Sequence, residues 1–66
     1  MNLNQLYYYK TVCRYSSITR AAKELHISQP AVTKAMRELE NELGVILLSR
    51  SNKTVAPTAE GEIFLR

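Results

Sequence analysis

The chain has 66 residues, 45% hydrophobic and 23% charged, with two Gly and two Pro; this fits one small globular domain and excludes low complexity or disorder. One cysteine, Cys13, and one histidine, His26, exclude an internal disulfide and a thiolate zinc cluster. They also leave no second group for hydrolytic or metal chemistry, so neither an enzyme nor a resident metal or cofactor is expected. No apolar run approaches the roughly 20 residues that span a bilayer. The opening MNLNQLYYYK lacks the basic-then-apolar layout of a signal peptide, so a soluble cytoplasmic protein is expected. The net charge is +3, and residues 1–23 carry Lys10, Arg14, Arg20 and Lys23 without one acid. Such a surface suits an anionic partner, or is simply solvated.

Leu3, Leu6, Tyr9 and Cys13 recur at spacings of three and four, which predicts a helix over roughly 3–14 with one apolar face. Ser17 is placed to cap a second helix, in which Ile18, Ala21, Ala22 and Leu25 follow the i, i+3, i+4, i+7 pattern. The adjacent alanines allow another helix to pack closely. A third helix is expected over about 29–43. Ser28 caps it, and Pro30 lies in the first turn, where a missing N–H costs nothing. Val32, Ala35, Met36, Leu39 and Leu43 form its apolar stripe, and Gly44 is its stop. Beyond it, Val45-Ile46-Leu47-Leu48 and Thr54-Val55-Ala56 predict a two-stranded hairpin with its tip at Ser51-Asn52-Lys53. Pro57-Thr58 would end that hairpin, and Thr58 would cap a last helix from Ala59. Because that helix runs to Arg66 without a C-cap, the chain is expected to be the N-terminal part of a longer protein.

Two helices joined by a three-residue turn, then a hairpin with a basic tip, predict a mainly α winged helix-turn-helix. Opposite the stripe of the third helix stand Pro30, Thr33, Lys34, Arg37 and Asn41; Glu38, Glu40 and Glu42 come later. The helix macrodipole opposes carboxylates near a C-terminus by about 0.3–1 kcal/mol each. The order suits a helix whose first turns enter a phosphate-lined groove. The plain alternative is a solvated face with i, i+4 pairs such as Lys34 with Glu38.

The chain resembles the N-terminal domain of LysR-type transcriptional regulators. The resemblance rests on Leu3-x-x-Leu6-x-x-Tyr9, SITRAAKELHISQPAVTKAMRELENELGV at residues 17–45, Leu47-Leu48-x-Arg50 and Thr58-x-x-Gly61. Thr33, Lys34, Leu48, Lys53 and Pro57 depart from the residues common there. The resemblance implies that Gln29, Pro30, Thr33 and Lys34 face base edges in the major groove. Glutamine suits adenine, lysine suits guanine, and the proline and threonine methyl suit thymine. It implies backbone or minor-groove contacts for Arg50, Asn52 and Lys53 on a wing spanning 45–57, and phosphate contacts for Thr19, Arg20 and Arg37.

It further implies that residues 59–66 begin a linker helix, after a DNA-binding domain over 1–58. Ile63, Phe64 and Leu65 would then start a dimer surface or close the core. A homodimer or homotetramer would bind an interrupted inverted repeat of double-stranded DNA. A small-molecule inducer would bind a C-terminal domain absent from these 66 residues. Tyr7, Tyr8 and Tyr15 are read as packing or interface residues, His26 as a structural turn residue and Cys13 as buried. A winged-helix protein–protein interaction module is the alternative, and a nucleic-acid packaging protein without sequence preference a third. An interaction module should show apolar anchors on the outer face of the third helix, where this sequence has Gln, Thr, Lys and Arg.

Overall fold

The computed structural model describes residues 2–51 and 54–65. Helix α1, Leu3–Tyr15, is held at its start by a reciprocal cap. The Asn2 side chain accepts from the Gln5 N–H at 2.8 Å, and the Asn2 N–H donates to Gln5 Oε1 at 3.2 Å. Helix α2, Ile18–Leu25, starts at Ser17, whose Oγ accepts from the Arg20 N–H at 3.2 Å. It ends at His26, which takes the left-handed conformation at φ 59; the Ile27 N–H then donates to the Ala22 carbonyl at 3.1 Å. Helix α3, Gln29–Leu43, has the expected bounds, with Ser28 as cap and Gly44 at φ 72 as stop.

These helices meet along the predicted stripes. Ala21 and Ala22 are buried, as are Val32, Ala35, Met36 and Leu39 of α3 and Tyr9 and Val12 of α1. With no side chain beyond Cβ, the two alanines let α2 lie close to its neighbours. Ile18, Leu25 and Leu43 are half-buried around them. No described helix is long and apolar enough to cross a membrane.

The hairpin departs from the sequence expectation. Strand β1 is Leu48–Ser51, three residues later than predicted, and pairs antiparallel with β2, Thr54–Pro57. Backbone groups of residues 46–48 have other partners. Glu40 Oε2 accepts from the Leu47 N–H at 2.8 Å and the Leu48 N–H at 3.2 Å. The Leu47 carbonyl accepts from the Tyr9 hydroxyl at 2.8 Å and the Thr58 N–H at 3.1 Å. Thr58 Oγ1 donates to the Ile46 carbonyl at 2.6 Å. Val45 and Ile46 are accordingly exposed, and Leu47 is buried.

The hairpin ends at Pro57-Thr58 as expected, with Pro57 itself paired. That proline stands opposite Leu48 at the last rung of β2, an edge position that tolerates a residue without an N–H. The Val55 N–H donates to the Ser16 carbonyl at 3.1 Å, tying β2 to the end of α1. Helix α4, Ala59–Leu65, starts from Thr58, whose Oγ1 accepts from the Gly61 N–H at 3.0 Å.

Candidate nucleic-acid interface

The cap at Ser28 sets which residues of α3 open to solvent. Its Oγ accepts from the Ala31 N–H at 3.3 Å and its carbonyl from the Val32 N–H at 3.2 Å. The chain therefore enters the helix with Gln29 and Pro30 in the first turn, away from the buried stripe. Gln29, Pro30, Lys34, Arg37 and Asn41 are exposed and Thr33 is half-buried. With Glu38 they line one shallow, open surface along the helix. All four residues expected to meet bases thus lie together on one face. That face carries amide, hydroxyl and ammonium donors, the groups that read base edges in a major groove.

The residues expected to meet phosphates come from several elements. Thr19 and Arg20 are exposed on α2, Arg37 on α3, and Arg50 on β1 opposite Val55. Asn52 and Lys53, expected at the wing tip, lie outside the described residues. Arg20 places its guanidinium carbon 5.4 Å from the centre of the Tyr15 ring, and Arg14 does so at 5.7 Å. Tyr15 is therefore a platform for two cations rather than a packing residue alone. Tyr7 and Tyr8 have ring centres 6.4 Å apart, Tyr7 exposed and Tyr8 packed against the core.

The three residues read as a dimer surface divide. Ile63 is 68% exposed. Phe64 and Leu65 pack against the core, with the Phe64 ring centre 6.1 Å from that of Tyr9. Cys13 is half-buried, not fully buried as expected. Burial raises its thiol pKa, an effect the neighbouring Tyr9 hydroxyl partly offsets.

The contacts of three groups at the base of the wing escaped the sequence reading. Tyr9 is fully buried, and its hydroxyl is held protonated well above the ordinary range, first by burial and then by its neighbour Cys13. Gly61 sits directly under it: a Cβ there would overlap the Tyr9 hydroxyl and lie 2.6 Å from the Leu47 carbonyl oxygen. Glu40, expected to be one of three outlying acids, instead takes two backbone donors. Those donors account for a carboxylate near the end of α3 without any appeal to polarity toward DNA. No local sequence signal marks these contacts, because they join residues seven or more positions apart and on different elements.

The family model for bacterial regulatory helix-turn-helix proteins of the lysR family matches residues 3–62. The chain belongs to the lysR family. Among LysR-family relatives it is 47% identical over 66 residues to the Hca operon transcriptional activator HcaR of Escherichia coli, covering 100% of this chain and 22% of that protein. It is 54% identical over 55 residues to the transcriptional regulator PcaQ of Agrobacterium fabrum, covering 83% of this chain and 18% of the relative. The chain therefore spans about a fifth of the length of these regulators.

Its fold matches that of the CbnR DNA-binding domain in a crystal structure with DNA. The TM-score is 0.94 at 45% identity, over 98% of this chain and 75% of that one. The BenM DNA-binding domain in complex with catB site 1 DNA matches with a TM-score of 0.93 at 40% identity, over 98% and 70% of the two chains. In this LysR-family domain α2 and α3 are the helix-turn-helix, and β1–β2 is the wing.

Proposed function

We propose that this chain is the DNA-binding domain of a transcription regulator, reading a specific double-stranded sequence with α3 in the major groove. The observation that carries this is the outward face of α3. Gln29, Pro30, Thr33 and Lys34 are gathered there by the Ser28 cap and free of the apolar anchors a protein-binding helix would need. Support comes from the CbnR and BenM domains, which have this fold and were crystallised with DNA.

Gln29, Pro30, Thr33 and Lys34 are assigned to base edges. Thr19, Arg20, Arg37 and Arg50 are assigned to phosphates, together with Asn52 and Lys53 beyond the described residues. Phosphate contacts orient the domain and supply most of the salt-dependent affinity. Ile63, exposed on α4, is the part of the expected dimer surface that remains open. A homodimer or homotetramer would set two α3 helices about 34–36 Å apart on one DNA face, over an interrupted inverted repeat. The regulator as a whole is proposed to be a cytoplasmic non-enzyme whose small-molecule inducer binds outside these 66 residues.

Selection of bound sites from random duplex DNA, repeated at two salt concentrations, tests the proposal. Enrichment of a common sequence, with two-fold related half-sites if the chain pairs, is the expected result. Binding without enrichment would favour a packaging role, and no binding at low salt would remove DNA as the partner.

A further inference from the structure

We infer that Glu40 is a positioning residue for the wing: its carboxylate sets the placement of β1–β2 against α3, and through it the reach of Arg50 to DNA. The inference rests on the DNA-binding reading above and adds a residue that meets no DNA itself.

A two-stranded hairpin with four-residue strands is marginal alone and takes its direction from whatever holds its base. The base here is the segment 46–48. Tyr9 holds it from α1, Thr58 from the start of α4, and Ser16 holds β2 through Val55. The ties of Glu40 come from α3, the helix proposed to read bases. A single oxygen, Oε2, receives the N–H groups of two consecutive residues, so the backbone bends around it as it enters β1. Leu48, the second donor, is the first residue of β1 and stands opposite Pro57, which has no N–H to offer. Glu40 therefore anchors the hairpin at the end where its own ladder is weakest.

The charge supports the same role. A carboxylate near the C-terminus of a helix is opposed by the macrodipole, and beside a proposed DNA surface it also repels phosphate. Two amide donors offset both effects, since hydrogen bonds to an ionised acceptor are the stronger kind. Glu40 is half-buried, whereas Glu38 and Glu42 are exposed. The three acids are thus not equivalent.

The test uses a duplex recovered by selection with the unaltered chain. Dissociation constants are measured for Arg50→Ala and Lys34→Ala, each alone and combined with Glu40→Ala. Glu40→Ala should weaken binding, and Arg50→Ala should then cost less than about twofold more, while the Lys34→Ala factor should persist within about twofold, the additivity expected of independent sites. Glu40→Gln keeps one carbonyl oxygen for both donors and should restore the full Arg50→Ala effect. An Arg50→Ala factor that is the same with and without Glu40 would overturn the inference.

Amide exchange supplies a readout that needs no DNA. In Glu40→Ala the amides of Leu47, Leu48 and the two strands should exchange faster, with those of Ala21 and Ala22 unchanged. Equal loss of protection throughout would mean a merely structural role and would also overturn the inference. Should Glu40→Ala fail to fold, Glu40→Asp, which withdraws the carboxylate by one methylene, takes its place with the same expected outcomes. If the unaltered chain selects no duplex, the DNA-binding reading fails and Arg50's part with it; local exchange at the wing would still show Glu40 setting the hairpin.

Discussion

The opening turns of α3 and its Glu40 use polar side chains in opposite ways. In the first half, Gln29 and Pro30 stand exposed within the capped first turn and Lys34 a turn further on. In the second half, Glu40 turns back to the protein and closes hydrogen bonds with the base of the wing. The buried stripe Val32–Met36–Leu39 runs under both, so hydrophobic burial does not distinguish them. What differs is whether donors and acceptors are met by the chain itself. Where they are met, a substitution should act first on stability, and at Glu40 on binding through the wing; where they are not, it should act on binding alone.

The largest expected effect breaks the joint under the wing. Gly61→Ala puts a methyl group into the Tyr9 hydroxyl and against the Leu47 carbonyl. Overpacking of this kind costs about 1–3 kcal/mol and sometimes more. Thermal unfolding should show it as a lowered midpoint, and an unchanged midpoint would mean that α4 does not press on Tyr9. Lys34→Ala should do the reverse. Its expected cost is roughly 1–3 kcal/mol of DNA affinity with relaxed preference at one base position, and the unfolding midpoint should stay put. Equal weakening on every sequence would move Lys34 from the base-reading group to the phosphate group.

A smaller effect sharpens the energetics of the joint. Tyr9→Phe removes one hydrogen bond, worth about 0.5–1.5 kcal/mol, while the Leu47 carbonyl keeps the Thr58 N–H. The pH dependence follows from the raised pKa of Tyr9. The unfolded chain releases this proton near pH 10, the ordinary tyrosine value. The stabilisation is therefore complete below about pH 10 and is lost as pH rises above it, because only the unfolded state ionises there. Chemical denaturation at pH 8 and pH 11 should show this part of the alkaline loss disappear in Tyr9→Phe. The smallest expected change is a gain. His26 holds a left-handed conformation that glycine adopts without a Cβ penalty, so His26→Gly should stabilise by less than about 1 kcal/mol. A clear destabilisation would assign the imidazole a contact of its own.

Local signals made α2, its turn and α3 legible. Ser17 and Ser28 cap where small hydroxyl residues precede apolar periods, and Gly44 stops α3 where a left-handed residue is needed. The Asn2–Gln5 cap carries a comparable signal, an Asn followed three residues later by Gln. The outward face of α3 was legible too, because helical spacing alone places Pro30, Thr33 and Lys34 opposite the apolar stripe; the base-reading role proposed for them and for Gln29 came from the resemblance. Val45-Ile46-Leu47-Leu48 misled for a physical reason. Its β-branched and aliphatic side chains favour a strand, but Glu40, Tyr9 and Thr58 take the backbone groups that a ladder would need. Ile63, Phe64 and Leu65 look alike in sequence, and only packing against Tyr9 separates exposed Ile63 from the other two.

Taken alone, the sequence determined the helices, their caps, their buried stripes and the donor face of α3. Each of these depends on residues within a turn or two of one another. The tertiary structure decided where the wing begins, what Glu40 is for, and why residue 61 has no side chain. Those contacts join residues as far apart as Tyr9 and Gly61, a separation at which no periodicity survives, and a backbone amide that donates to a side-chain carboxylate leaves no mark on its own residue type.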